Sequence, residues 1–468
     1  MIEVQASQGP EDIALLRPQP NGRVEHAAAA PSLTALRRAA ERALEQHGLP
    51  GRKDEAWRFT SVRGALEIAP SAPAELWSLE RAGDDVRAHF AAEAFVLPVV
   101  DGVALVTAVD NLPAGVQLMA LDDAHRSSVA PDPVSLAPER HFRALNTARF
   151  ERGALLRIEG QLERPVHVIY VSTGVSVAHA KLHIEVVAGA RATVIEHFVS
   201  PRKRGAVGQG GSADGAANVD VDAGPSGQGD APPPTLLNAV TDVRVGPNAE
   251  LEHVRVHRST QLLVGDVATE LGKDARYHSR VVTLGGPLMR LSLHLAFTGK
   301  GGSATLEGAY HVAGRDHVDH HTRVEHRASH CTSQQDYRGV IDGHGTSVFD
   351  GIAWVHQNAL VSEAHQQNRN LLLSDTAVAH TKPHLEIDTD SVVASHGATV
   401  GSIDEDQVFY LRSRGMRESQ ARALLTFAFV RELLQRIGDE GTRKRVEEAM
   451  AERLPDGMGL LELFGETA

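Results

Sequence analysis

From about Leu155 to Ile387 the chain is a long succession of short runs rich in Val, Ile, Leu and Thr, parted by Gly, Asn and Asp: HVIYVST, KLHIEVV, LEHVRVH, SRVVTLGG and GVIDGHGTSVFDGIAWVH. Runs of this length and composition, bounded by turn residues, read as strands, so more than two hundred residues must be accommodated as all-β structure. A glycine-centred turn recurs before an alternating strand: Gly189-Ala190-Arg191-Ala192-Thr193-Val194, Gly246-Pro247-Asn248-Ala249-Glu250-Leu251, Gly302-Ser303-Ala304-Thr305-Leu306 and Gly343-His344-Gly345-Thr346-Ser347-Val348. The intervals are irregular. Short strands, aromatics at only 4% and small or β-branched residues at turns suit a β-solenoid, whose coils bury their inner faces only against neighbouring coils. A jelly roll or a sandwich shares the strand pattern, and the residues alone leave these alternatives open.

The flanks read differently. Residues 1–150 form an N-terminal, mostly helical region, with Leu33, Leu36, Ala40, Ala43 and Leu44 at helical spacing, Ser32 as the expected cap, and Gly48 and Pro50 as the stop. Residues 401–468 form a C-terminal helical domain, in which Ala421, Leu424, Leu425, Ala428, Phe429, Leu433 and Ile437 recur at three- and four-residue steps. Within the strand region, 151–400, the segment Pro201 to Pro234 is rich in Gly, Ala, Asp and Pro and nearly free of large apolar side chains. It cannot offset its ordering entropy by burial, and we expect a disordered insertion that leaves the flanking strands in place.

Composition narrows the function classes. The 468 residues carry a net charge of −13, which disfavours nucleic acid as a partner, because affinity for it rests on Lys and Arg neutralising phosphates. Cys331 is the only cysteine, so no internal disulfide forms, and the usage suits a reducing compartment. No run approaches the ~20 apolar residues that span a bilayer, and MIEVQASQGPEDIALL has no basic-then-apolar signal pattern. The expectation is a cytoplasmic protein without membrane insertion.

Few residues carry recognisable chemistry. No GxxxxGK[ST] loop is present, since Gly272-Lys273 precedes Asp274 and Gly299-Lys300 precedes Gly301, so ATP is expected on a partner. Among 25 histidines the densest run is His311, His317, His320, His321, His326 and His330, in which His317 and His321 share one strand face and His320 the other. His253 and His257 also share a face. No recognisable ligand spacing accompanies them. Cys331 is a candidate soft metal ligand whose default reading is a buried, unreactive thiol, and one thiolate cannot hold an iron-sulfur cluster. Glu386 and Asp388 lie on one strand face, as paired carboxylates do in some sugar hydrolases. A stand-alone β-helix or cupin-like enzyme, using a metal or these carboxylates, is therefore the alternative reading.

The segment from Leu371 to Met416 concentrates the remaining signal. Leu371, Leu372 and Leu373 end at Ser374-Asp375. Leu385 and Ile387 alternate with His384, Glu386 and Asp388; Ser395-His396-Gly397 reads as a turn at a strand end; and Asp404-Glu405-Asp406 opens a helix with acids at its positive end. Through HTKPHLEID, SHGATVG, FYLRSRGM and the N-terminal KDEAWRFTSVR, in one order from about Arg52 to Ile437, the chain resembles the SufB/SufD family of iron-sulfur cluster assembly proteins. His396-Gly397-Ala398 matches the SufD branch, where the SufB branch has His-Glu-Ala.

The resemblance implies a mainly β fold, a right-handed parallel β-helix between helical parts. It also implies a non-enzymatic subunit of the SufBCD complex that pairs with SufB and binds the ATPase SufC. Arg414, Gly415, Met416, Glu418 and Ala421 would contribute to the SufC contact. His396 would face SufB, where a transient cluster, shared with SufB, is built. Reduced flavin is a candidate reagent of the complex, and a homodimer is the alternative assembly where SufB is missing. Two departures stand out. Ala394 occupies a position that is often cysteine in SufD, and Gln367-Asn368-Arg369 stands where SufB carries its cysteine in Gln-Cys-Asp.

Overall fold

The computed structural model describes residues 30–51, 53–71, 95–109, 112–127, 140–172, 174–199 and 235–454, together with Leu15 and Leu460. Nineteen strands lie among them: β1 (Phe95–Val100), β2 (Val103–Ala104), β3 (Val116–Ala120), β4 (Ala154–Ile158), β5 (Val166–Val171), β6 (Val177–Val186), β7 (Arg191–Val199), β8 (Leu236–Val245), β9 (Glu250–Arg258), β10 (Leu262–Leu271), β11 (Arg276–Leu284), β12 (Met289–Phe297), β13 (Ser303–Val312), β14 (His317–His326), β15 (Thr332–Ile341), β16 (Thr346–Val355), β17 (Ser362–Leu372), β18 (Val378–Ile387) and β19 (Val392–Gly401). From β4 onward they alternate between two sheets, ordered β19-β17-β15-β13-β11-β9-β7-β5-β1-β2 and β18-β16-β14-β12-β10-β8-β6-β4-β3. All neighbours pair in parallel except β1 with β2 and β3 with β4. The result is a β-solenoid of seven coils, β5–β6 through β17–β18, and the sandwich and jelly-roll alternatives fall away.

The turns explain why the repeat looked irregular. At one corner Gly189, Asn248, Asp274, Gly301, His330 and Val361 all have positive φ. Each donates its backbone N–H to the next coil, to Pro247, Lys273, Lys300, Ser329, Leu360 and Ser391 respectively. The steps from Asn248 to Asp274, Gly301, His330 and Val361 are 26, 27, 29 and 31 residues. From Gly189 to Asn248 the step is 59, which becomes 25 once the 34 residues 201–234 are set aside. Gly343 belongs to the opposite corner, between β15 and β16. The 201–234 segment joins β7 to β8 and lies outside the described residues, as does its expected disorder.

Each outer sheet face has its own cover. Ile195, Val254, Val256, Val282, Leu284, Ala309 and Val340 of the first sheet form a core with Ala423, Phe427, Val430, Leu433 and Leu434 of the helix Glu418–Leu434 and with Val446, Ala449 and Met450 of the helix Glu440–Ala451. The second sheet is covered from the N-terminal side. In the helix His141–Arg149, Asn146 donates to the carbonyls of Ala180 and Asn238, and the buried Arg143 pairs with Asp242 and Asp266 at 2.5 and 2.6 Å. The N-terminal helix runs from Pro31 to His47, with Pro31 in the first turn, so Ser32 lies within it and does not cap it. The solenoid sheets also begin earlier than the expected boundary near residue 150. β1 extends the first sheet and β3 the second.

The bore between the sheets changes character along its length. Around β5 and β6 it is filled by Val166, Val168, Ala180, Leu182 and Ile184. One coil on, Glu196 is fully buried among Arg255, His253 (2.7 Å), the Tyr170 hydroxyl (2.6 Å) and Thr241. Burial alone would raise this carboxyl, but Arg255 and His253 outweigh it and hold Glu196 down at about 2. Further along, Tyr337 pairs in register with Gly308 and Tyr310 with Gly339. A Cβ at either glycine would lie 2.1–2.2 Å from the opposing ring, so each glycine makes room for its neighbour's tyrosine.

Candidate functional site: the open end of the solenoid

Among the described residues the last coil has no successor: β18 pairs only with β16, and β19 only with β17. Neither the described N-terminal cover nor the described C-terminal helices close this end, and Val378, Ile387, Val393 and Val400 stand exposed on it. An uncovered strand edge with unpaired N–H and C=O groups is a template for pairing with another chain.

His396 lies in the middle of β19, Cα-paired with Gln366 of β17. The expected turn at Ser395-His396-Gly397 is thus corrected to continuous strand. Gly397 has no positive φ, and a Cβ there would meet nothing within 4 Å, so ladder pairing governs this stretch. Because Gln366 belongs to the buried, inward-facing set of β17, its register partner His396 occupies the inward column too, and it is exposed because no further coil covers it. His396 stands at the mouth of the bore. Its ring makes no hydrogen bond or ion pair with the described residues.

Below it the bore is polar. Tyr310 donates to Asn370 Oδ1 (2.7 Å), Asn368 Nδ2 to the Tyr310 hydroxyl (3.0 Å), and Asn370 Nδ2 to Asn368 Oδ1 (2.7 Å), a closed ring of buried groups. Asn368 is therefore a structural member of this ring. Ala394 lies two residues before His396, in the same inward set, and packs against Ala353, Val355 and Ala364.

A strap from the N-terminal part reaches the same end, which sequence reasoning did not anticipate. In KDEAWRFT, Trp57 packs on Phe142 and lies under the Arg290 guanidinium at 3.7 Å, while Thr60 donates to Asp319 at 2.5 Å and bonds His317 at 2.9 Å. Phe59 stacks on His380 of β18 at 4.1 Å, and Glu55 pairs with Lys382 at 2.9 Å. Two separated motifs, near residue 57 and near residue 382, meet on one sheet face. The signal was their joint presence, but nothing local announces a contact across more than 300 residues.

The remaining candidates disperse. His317 and His321 do share the outer face, where His321 bonds Asp319 at 2.9 Å, while His320 and His326 point into the bore, where burial pushes both rings down to about 4. His253 and His257 are both buried in the bore. No group of three or more His, Cys, Asp or Glu side chains among the described residues is arranged to hold a metal ion. Cys331 is buried in the bore core with its thiol 3.4 Å from the Gly299 carbonyl, and burial pushes its pKa up, in keeping with the default reading of an unreactive thiol. Asp388 accepts from the Trp354 indole at 2.8 Å, and Glu386 lies 3.5 Å from His384, so each acid has a separate partner.

At the C-terminal side, Asp404 caps the helix Glu405–Ser413 by accepting from Asp406 N–H. Arg414 lies over the Tyr410 ring at 5.1 Å, Gly415 turns at φ 93°, Met416 is half-buried, and Glu418 is exposed and pairs with Arg412 and Arg422. Ala421 is fully buried. Phe409 and Tyr410, 71% and 56% exposed, form a surface the sequence reading passed over.

Residues 169–429, more than half of the chain, match the family described as SUF system FeS cluster assembly, SufBD core domain. The chain belongs to the SufBD family. This SufBD protein is 29% identical over 428 residues to the iron-sulfur cluster assembly protein SufD of Escherichia coli, covering 88% of this chain and 91% of that one. It is 28% identical over 425 residues to an iron-sulfur cluster assembly SufBD family protein of Synechocystis, covering 86% and 87%. A SufBD family protein of Mycobacterium leprae is 37% identical over 192 residues, 39% of this chain and 49% of the relative. The SufBD protein described here is thus a SufD-like iron-sulfur cluster assembly protein. No described helix of it is long and apolar enough to cross a membrane.

Proposed function

We propose that this chain is the SufD-type subunit of a cytoplasmic SUF complex, a non-enzymatic partner that joins a SufB-type solenoid through its open coil and presents His396 where a nascent cluster is built. One observation carries the reading. Among the described residues, the inward column of the last coil ends in an unpartnered imidazole, flanked by two unpaired strand edges and an exposed apolar rim. Neutral imidazole ligates iron in place of thiolate, and a cluster held between two chains needs only part of its ligand set from each. The cluster is cargo and not a resident group. The bore supplies no thiol at this mouth, where Asn368 and Ala394 stand, so the sulfur ligands belong to the partner.

The helices Glu405–Ser413 and Glu418–Leu434 form the docking element for a SufC-type ATPase. Their exposed Phe409 and Tyr410, with Arg414 and Met416 beside them, offer an aromatic and cationic face of the kind that dominates protein contacts. ATP binding there shifts the joined solenoids between two arrangements and opens the cluster site, driven by the ATPase's different affinity for each.

The test is reconstitution with SufB- and SufC-type partners. A complex containing all three chains is expected by mass measurement, and His396→Ala is expected to leave that mass unchanged while lowering cluster formation about tenfold or more, a scale reached even by supporting residues of metal sites. Undiminished cluster formation would remove His396 from the mechanism. A chain that stays monomeric in the presence of both partners would end the reading.

A further inference from the structure

One rung below His396, Gln366 faces into the bore and is only 3% exposed. Neither Nε2 nor Oε1 of its amide has a hydrogen-bond partner. Its seat is nonetheless built. A Cβ at Gly351 of β16 would lie 2.0 Å from Gln366 Nε2, so the opposite sheet gives up a side chain to admit the amide. Leaving buried amide groups unpaired is costly, and the polar groups beyond it, Asn368, Asn370 and Tyr310, are already closed on one another. On β18, the Thr381 Oγ1 facing the same bore is likewise unpartnered.

Two incomplete polar groups therefore occupy adjacent rungs of one column, about 4.8 Å apart along the ladder. A histidine that ligates metal almost always donates its other ring N–H to an oxygen, which sets the tautomer and the ring's direction. No described residue now does this for His396. We propose that Gln366 is the positioning residue for His396: its Oε1 accepts one imidazole N–H and aims the other ring nitrogen out of the bore toward the partner and the iron. Gln366 Nε2 remains to donate to a water or sulfide at the same mouth. This inference rests on the reading of His396 given above.

The test compares His396→Ala, Gln366→Met and Gln366→Glu in the reconstituted complex, and the ring-nitrogen NMR signals of His396 in the free full-length chain, identified by their loss in His396→Ala. Gln366→Met keeps the length and removes both polar atoms. It is expected to assemble normally, form cluster 10–100-fold more slowly, and convert His396 from one tautomer to a mixture. Gln366→Glu retains the acceptor and is expected to restore most of the cluster formation that Gln366→Met loses. A wild-type rate and an unchanged tautomer in Gln366→Met, alongside an inactive His396→Ala, would overturn this inference and leave the proposed function standing. Full activity of His396→Ala would overturn both. Where Gln366→Met does not fold, Gln366→Glu decides, and His396 ring-nitrogen signals unmoved by the new carboxylate would defeat the proposal.

Discussion

Arg255 and Glu196 place a full ion pair inside the bore, with both side chains completely buried. Two desolvated charges roughly break even as a pair, whereas one left alone is costly. Arg255→Met is therefore expected to destabilise the protein by about 3–5 kcal/mol, because Glu196 stays behind with only His253, Tyr170 and Thr241. Adding Glu196→Gln to that variant should recover much of the loss, and denaturant unfolding of the single and double variants measures it. An additive double variant would show that the two side chains do not act as a pair. None of this was legible from local sequence. The parity of His317, His320 and His321 was, because a strand's two faces follow from residue numbers alone. The 59-residue separation of Glu196 from Arg255 is set by the coil length and by the 201–234 segment between them.

At the scale of the strand pair, β13 and β15 interlock through Gly308, Tyr310, Tyr337 and Gly339. Gly339→Ala is expected to cost about 1–3 kcal/mol, since its methyl would enter the Tyr310 ring and the bore has no slack to receive the displacement. The loss should shrink in a Tyr310→Ala background, and thermal unfolding of the four variants tests it. The strands themselves were visible as alternating runs, and the helix start at Asp404 was visible as an acid-led segment. What misled was Ser395-His396-Gly397. Glycine beside a small residue reads as a turn where only neighbouring residues are consulted, but ten consecutive rungs to β17 keep this stretch extended.

For the whole molecule, burial sets the response to acid. The rings of His311, His320 and His326 are pushed down by burial to about 4, and that of His179 to about 3. An unfolded chain takes up protons on these residues near 6.5, before the folded one does, so stability falls as pH falls from about 6.5 toward 4. Each such ring contributes about 1.4 kcal/mol per pH unit across that window. The Glu196 carboxyl, at about 2, keeps its full contribution above the ordinary carboxylate range and plays no part until lower pH. Tm is expected to drop steeply between pH 6.5 and 4.5 and to be nearly level between 7 and 8. A flat Tm from 7 to 5 would contradict the neutral, buried state of these histidines.

Period-two alternation, turn residues and helix spacing are local properties, and they were enough to define a strand-rich middle between helical flanks. Tertiary structure alone decided which strands are neighbours, because from β8 to β19 the parallel coils pair residues 26–32 positions apart and the sequence carries no mark of that register. Register is what sets Gln366 under His396, locks Trp57 and Thr60 to Arg290 and Asp319, and leaves the final coil uncovered. The chemistry proposed for that end depends on which inward column stops there, a property of the stacked solenoid and of no single strand.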